Sequence, residues 1–162
     1  GTQVTDNPVM DRLRGRDGRS LAKYWADGGM RAYLGTTVSN FPNLFLLTGP
    51  NTGIGHTSLL VMIEAQIRYI VSCLRQMEAK DIATVEVREN VLDAFNVELQ
   101  AKTENTVWTS GGCQSWYLDA DGRNATLWPD FTWRFKLMTR RFDPEDYLLT
   151  PRLSGTRARS TA

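Results

Sequence analysis

Phe41-Pro42-Asn43-Leu44-Phe45-Leu46-Leu47-Thr48-Gly49-Pro50-Asn51-Thr52-Gly53-Ile54-Gly55-His56-Thr57-Ser58 is followed by an amphipathic run that reaches about Lys80. Leu44 to Thr48 reads as a short buried strand, because a brief apolar run bounded by turn residues fits a strand better than a helix. Gly49 to Gly55 reads as a tight turn, and Thr57 or Ser58 is placed to cap the helix that follows. In that helix Leu59, Met62, Ile63, Ile67, Ile70, Val71, Leu74 and Met77 recur at helical spacing, which predicts one apolar stripe packed on a sheet. Glu64, Arg68 and Arg75 fall outside the stripe, and Glu64 and Arg68 are spaced for a weak ion pair. Strand, glycine-rich turn and helix in that order predict an α/β fold. In open sheets of this class the crossing directs backbone N–H groups and the positive helix end to the carboxyl edge of the strand, where anionic or electron-rich cofactor groups bind.

A phosphate loop of the Gly-x-x-x-x-Gly-Lys-Ser/Thr type also follows a strand and opens a helix. Its register needs Gly where Pro50 stands and Lys where His56 stands, so a nucleoside triphosphate fits poorly. The other reading of the loop is a plain strand-to-helix turn with no ligand.

Outward from this core, residues 1–20 are charged and lack periodicity, and read as irregular. Ser20 can cap a short helix through Leu21, Tyr24 and Trp25, which Gly28-Gly29 would end. Arg31 to Val38 has β character, and Ala83 to Arg88 alternates Val85 and Val87 with polar residues as a half-exposed strand does. Asn90 to about Lys102 places Val91, Leu92, Phe95 and Leu99 at helical spacing. Asp119 to Asn124 is a turn signal between Trp116-Tyr117-Leu118 and Thr126-Leu127-Trp128, which predicts an aromatic β-hairpin. Asp143 to Tyr147 can open a last helical turn. Residues 1–150 form one unit, and residues 151–162 are expected to be a disordered basic tail.

Composition excludes several classes of function. A chain of 162 residues with 41% apolar and 23% charged side chains has the size and content of one globular unit. Its net charge of +1 removes any general electrostatic case for nucleic acid or an anionic membrane. Leu44 to Leu47 is far too short to span a bilayer. The two cysteines, Cys73 and Cys113, and the single His56 lack metal-ligand spacing, so no metal is expected. Sparse cysteine use and the absence of an N-terminal apolar signal favour a reduced, cytoplasmic setting.

Tyr33-Leu34-Gly35-Thr36-Thr37, Phe41 to Phe45 and Gly49 to His56, then Cys113-Gln114-Ser115-Trp116-Tyr117, Gly122-Arg123-Asn124 and Trp128-Pro129, resemble in the same order the C-terminal part of flavin-dependent Baeyer–Villiger and flavin-containing monooxygenases. The resemblance covers roughly residues 1 to 148. It implies the C-terminal portion of an FAD-binding Rossmann-like domain, in which strand, glycine-rich turn and long helix are followed by a second helix and the aromatic hairpin. The Gly-x-Gly-x-x-Gly fingerprints of that family for FAD and for NADPH are absent, so the chain resembles a piece of a longer enzyme, expected to be inactive alone and to need the missing N-terminal part.

The resemblance implies FAD and NADPH as cofactors, and insertion of one atom of O2 beside a ketone carbonyl or its delivery to a heteroatom. Backbone N–H groups at Gly49, Asn51 and Thr52 would face the pyrimidine side of the flavin, with Gly49 allowing close approach and Pro50 offering no donor. Trp116 matches the family tryptophan near the nicotinamide, and an indole can stack and donate one hydrogen bond there. An aromatic packed on the core is the other reading of Trp116. No catalytic residue is assigned: His56 reads as a polar junction residue, Cys113 lacks an activating neighbour, and Arg19 and Arg31 read as solvated. A different class of function, a non-catalytic interaction or assembly module, also fits, and an oligomer is compatible with both.

Overall fold

The computed structural model describes residues 8–53, 59–104 and 123–153. Helices α1 (Pro8–Arg12) and α2 (Leu21–Gly28) lead into a long irregular stretch; α3 (Leu59–Ala79), β1 (Ile82–Val87) and α4 (Glu89–Glu104) follow, and α5 (Thr132–Met138), a 3-10 turn (Pro144–Asp146) and β2 (Tyr147–Pro151) come last. None of the described helices is long and apolar enough to cross a membrane.

Local chemistry accounts for several of these elements. Ser20 caps α2 by accepting a hydrogen bond from the Lys23 N–H at 3.2 Å, and Gly29 closes its far end at φ 83°, a conformation that costs glycine little. β1 stands where the alternation of Val85 and Val87 places it. Its partner is β2, antiparallel, with Val87 opposite Tyr147 and Val85 opposite Leu149. β2 was not legible, because Leu148 and Leu149 interrupt any alternation. It runs through Pro151, and the Arg152 N–H donates to the Asp81 carbonyl at 2.8 Å, so the chain is held past the expected start of the tail. Residues 154–162 lie outside the described residues. α1 and α5 are also additions to the sequence reading.

The strand expected at Leu44 to Thr48 is not formed. The sheet among the described residues contains β1 and β2 alone. The 44–48 segment instead gives one backbone hydrogen bond to the Gly35 turn, from Leu46 N–H to the Thr36 carbonyl at 2.7 Å, and Thr48 turns left-handed at φ 53°. Asn43 docks the segment on β1: its N–H donates to the Val85 carbonyl at 3.0 Å, and its Oδ1 accepts from the Val85 N–H at 2.9 Å. Apolar composition permits a strand, but a ladder needs a neighbour, and the described residues supply none. The β character of Arg31 to Val38 becomes a turn, closed by a single Tyr33–Thr37 bridge with Leu34 and Gly35 at positive φ. Of the expected aromatic hairpin, residues 105–122 lie outside the described residues; Leu127 makes an isolated parallel bridge with Gly53.

α3 buries a face that shares only Met62 and Met77 with the stripe expected. Met62, Ala65, Gln66, Tyr69, Cys73 and Met77 are buried, while Leu60 is 67% and Ile67 46% exposed. Both sets recur at helical spacing, so the helix has two apolar faces, and the face that packs is the one this chain can cover with β1, Leu34, Leu92, Phe142 and Tyr147. No ion pair joins Glu64 to Arg68 among the described residues. The Cys73 thiol is pushed up to about 12 by burial and is inert as a nucleophile.

Two buried tyrosines, Tyr69 and Tyr147, and the half-buried Tyr33 tie this core together. The Tyr69 and Tyr147 hydroxyls lie 2.8 Å apart, Tyr147 also meets Thr37 Oγ1 at 2.9 Å, and the Tyr33 hydroxyl donates to Asp146 Oδ2 at 2.8 Å. Burial first raises all three phenols above their ordinary range; Asp146 adds to it for Tyr33, and Tyr147 adds to it for Tyr69, while the hydrogen bonds with Thr37 and Tyr69 partly offset it for Tyr147. A raised phenol pKa favours the neutral folded state, so this stability is complete below the unfolded value of about 10 and is lost as pH rises beyond it, at up to ~1.4 kcal/mol per pH unit for each tyrosine. Alkaline titration followed by phenolate absorbance is expected to show these three tyrosines ionising only together with unfolding. Ionisation of all tyrosines before any loss of helical circular dichroism would contradict it.

Candidate functional site

The loop from Leu46 to Gly53 is built by packing backbone against backbone. A Cβ on Gly49 would run into the Gly35 carbonyl oxygen, and a Cβ on Gly35, which sits at φ 60°, would run into Thr52 Cγ2. The two glycines therefore let two turns of the chain touch. Thr52 Oγ1 closes the loop by donating to the Gly49 carbonyl at 2.7 Å. Asn51, at φ 58°, is in the left-handed region that asparagine tolerates better than most side chains.

The loop is anchored on its far side by residues 124–128. The Asn51 N–H donates to the Ala125 carbonyl at 3.1 Å, the Gly53 N–H to Thr126 at 2.9 Å, and the Trp128 N–H back to Gly53 at 2.8 Å. Asn51 Nδ2 bonds the Asn124 carbonyl at 2.7 Å and the Leu127 carbonyl at 3.1 Å. Asn124 in turn folds its own segment: Oδ1 accepts from the Leu127 N–H at 2.8 Å, and Nδ2 reaches Thr103 Oγ1 at 3.0 Å. The sequence shows Asn124 as the end of a turn signal and as part of the resemblance, but not as the anchor of this loop; the signal for that role is the Asx-turn habit of asparagine.

Beside the loop opens a cleft of about 420 Å³, lined by Trp25, Met30, Leu46 to Pro50, Thr52, Gly53 and the start of α3 at Leu59, among others. The expected site residues take distinct places here. Gly49 and Thr52 line the cleft, and neither N–H has an acceptor among the described residues. Asn51 is 3% exposed and its N–H is committed to Ala125, so it braces the loop and offers no backbone donor to a ligand. Trp116, Cys113 and His56 lie outside the described residues. Arg31 pairs with Asp93 at 3.1 Å and Arg19 with Asp17 at 2.7 Å, so both arginines are engaged away from the loop. Among the described residues no cluster of His, Cys, Asp and Glu could hold a metal ion.

Asn51→Ala is expected to cost about 1 kcal/mol, because it removes one of two donors from each of the Asn124 and Leu127 carbonyls, which keep Gln100 Nε2 and Asn124 Nδ2. A urea midpoint equal to that of the parent would show that the two segments are held together by other means.

No protein-family model matches the chain. It is 49% identical over 153 residues to a Baeyer–Villiger monooxygenase of Pseudomonas aeruginosa, an alignment that takes in 93% of this chain and 29% of the relative. A Baeyer–Villiger monooxygenase of Streptomyces coelicolor is 45% identical over 148 residues, 91% of this chain and 28% of that protein. The fold is similar to part of the crystal structure of cyclohexanone monooxygenase from Rhodococcus sp. Phi1 bound to NADP+, with a TM-score of 0.72 and 23% identity, across 86% of this chain and 27% of that one. The chain thus spans less than a third of the length of the proteins it matches.

Proposed function

We propose that this chain, related over 91–93% of its length to Baeyer–Villiger monooxygenases, is the C-terminal part of an FAD- and NADPH-dependent monooxygenase that delivers one oxygen atom from O2 to a ketone or a heteroatom. The observation that carries the reading is the Gly49–Thr52 loop. Its own chain holds it in place on two sides, yet among the described residues the Gly49 and Thr52 N–H groups have no acceptor at the cleft the two residues line, Thr52 itself being 1% exposed. Reduced flavin carries negative charge on its pyrimidine side, and fixed N–H donors beside the start of a helix favour that charge.

These residues fit one edge of the flavin ring. They do not fit the dinucleotide phosphates, which need the glycine fingerprint that this sequence lacks. When bound, FAD reduced by NADPH supplies the oxygen chemistry. Gly49 and Thr52 hold the ring edge, Leu46 and Leu47 exclude water from it, and Asn51 keeps the loop from yielding. Trp116 is assigned to the nicotinamide side on resemblance alone. The uncovered face of α3, with Leu60, Ile67 and Leu74 exposed, is assigned to contact with the N-terminal part of the enzyme, without which the chain is expected to be inactive.

Titrating FAD against this chain and following flavin fluorescence tests the division of labour. Weak or no quenching is expected for the chain alone, and tight binding for the enzyme that contains it. Tight, stoichiometric quenching by the chain alone would mean that the phosphate site has been placed in the wrong part of the protein.

A further inference from the structure

Gln66 lies in the third turn of α3, is fully buried, and points its amide at the junction of the two glycine turns. Its Nε2 donates to the Gly35 carbonyl at 2.9 Å and to Thr36 Oγ1 at 3.0 Å. Thr36 Oγ1 passes its own proton on to the Leu34 carbonyl at 2.9 Å. On the other side, Gln66 Oε1 accepts the Thr48 N–H at 3.0 Å. The orientation of the amide is fixed by these partners, since a flip would set Oε1 against the Gly35 carbonyl and Nε2 against the Thr48 N–H. One side chain thus spans both turns, and the Thr48 bond fixes the residue that enters the candidate flavin loop in its left-handed conformation.

We infer that Gln66 is the positioning residue of the flavin loop: it sets the path of Thr48 and Gly49 relative to the Gly35 turn, and so aims the N–H groups of Gly49 and Thr52. The inference rests on the assignment of that loop to the flavin. Gln66 does not touch the cleft and acts only through the loop. A glutamine suits the task because it presents a donor and an acceptor at once on a rigid helix, whereas an apolar residue of the same size would leave the buried Gly35 carbonyl and the half-buried Thr48 N–H without their partner. None of its partners is ionisable, so the unaltered junction does not respond to pH.

Three variants of the full-length enzyme test this. Gln66→Leu removes the junction. Gln66→Glu makes it titratable: the neutral carboxyl can still donate to Gly35 and accept from Thr48, while the carboxylate faces the Gly35 carbonyl. Gln76→Leu is the control, because among the described residues the Gln76 side chain, on the same helix, bonds the Phe142 carbonyl at 2.8 Å, far from the loop in sequence. Hydrogen exchange read by mass spectrometry is expected to speed up about tenfold in the peptides spanning Gly35 and Thr48 for Gln66→Leu, and near Phe142 alone for Gln76→Leu. Gln66→Glu is expected to match the parent in acid and to diverge from it as pH rises through the raised pKa of the buried carboxyl, even if Gln66→Leu fails to fold. Loop exchange in Gln66→Glu that follows the parent at every pH, or loosening of the loop by Gln76→Leu, overturns the inference. The flavin readouts separate it from the reading beneath it. Gln66→Leu and alkaline Gln66→Glu are expected to change the visible circular dichroism of the flavin and to lower the ratio of oxygenated product to NADPH consumed. A loosened loop with both quantities unchanged leaves Gln66 as the anchor of the loop and removes the loop from the flavin.

Discussion

Gly49→Val is expected to destabilise the chain by about 3 kcal/mol before any cofactor is considered. The added Cβ would collide with the Gly35 carbonyl oxygen, and Leu46 Cβ lies 3.2 Å away on another side. The obstacle is backbone, which cannot swing aside as a side-chain tip does. Gly35 is itself held by Gln66 and packed on Thr52, so relieving the clash would part the two turns and loosen the 124–128 segment through Asn51. Gly18→Ala is the matched comparison, because Gly18 has a positive φ of 84° with nothing within 4 Å of its Cβ position; it should pay only the conformational cost, about 1 kcal/mol. Urea midpoints of the two variants decide the matter. A Gly49→Val midpoint no lower than that of Gly18→Ala would mean the turns separate freely and that Gly49 is small for a ligand's sake alone.

Tyr69→Ala should cost about 3–5 kcal/mol, whereas Ile67→Asp, two positions away on the same helix, should cost this chain less than about 1 kcal/mol. Tyr69 is 1% exposed, packs on Phe142 with ring centroids 5.7 Å apart, and shares its hydroxyl with Tyr147. Truncation removes a large buried side chain and one partner of a buried hydroxyl chain. Ile67 meets solvent in this chain, so a carboxylate there stays hydrated. In the full-length enzyme the order should change: with the outer face of α3 covered, Ile67→Asp would bury an unpaired charge and cost several kcal/mol. Urea midpoints of both variants, in both lengths of protein, check the pair. A mild Ile67→Asp in the longer protein would show that this face stays open.

The comparison of Ile67 with Tyr69 also shows what a sequence can and cannot reveal. The 3.6-residue period gave the helix and nearly its bounds, but two apolar faces share that period, and only the partners available decide which is buried. The same limit produced the false strand at Leu44 to Thr48, where composition met the requirement for apolar side chains and nothing met the requirement for a neighbouring ladder. Elements whose signal is local chemistry, such as the Ser20 cap of α2 and the alternation in β1, were readable. The assignment of Gly49, Asn51 and Thr52 to a cofactor rested on the resemblance; the structure sets Gly49 and Thr52 beside a cleft. The roles of Asn51, Asn124 and Gln66 were not readable, because each depends on carbonyls brought near from elsewhere in the chain, and a lone amide side chain gives no hint of which ones.

Pairing β1 with β2 has a consequence for synthesis. Val87 leaves the ribosome well ahead of Tyr147, the residue opposite it in the sheet, and at ordinary elongation rates the gap lasts roughly 3–12 s. For that interval Val85 and Val87 lack their ladder, and Tyr69 lacks both Phe142 and Tyr147. The nascent segment around α3 and β1 is therefore a client for chaperones until the final strand emerges. A stop codon only slightly early, ahead of Tyr147, would leave that condition permanent and send the truncated product to proteolysis.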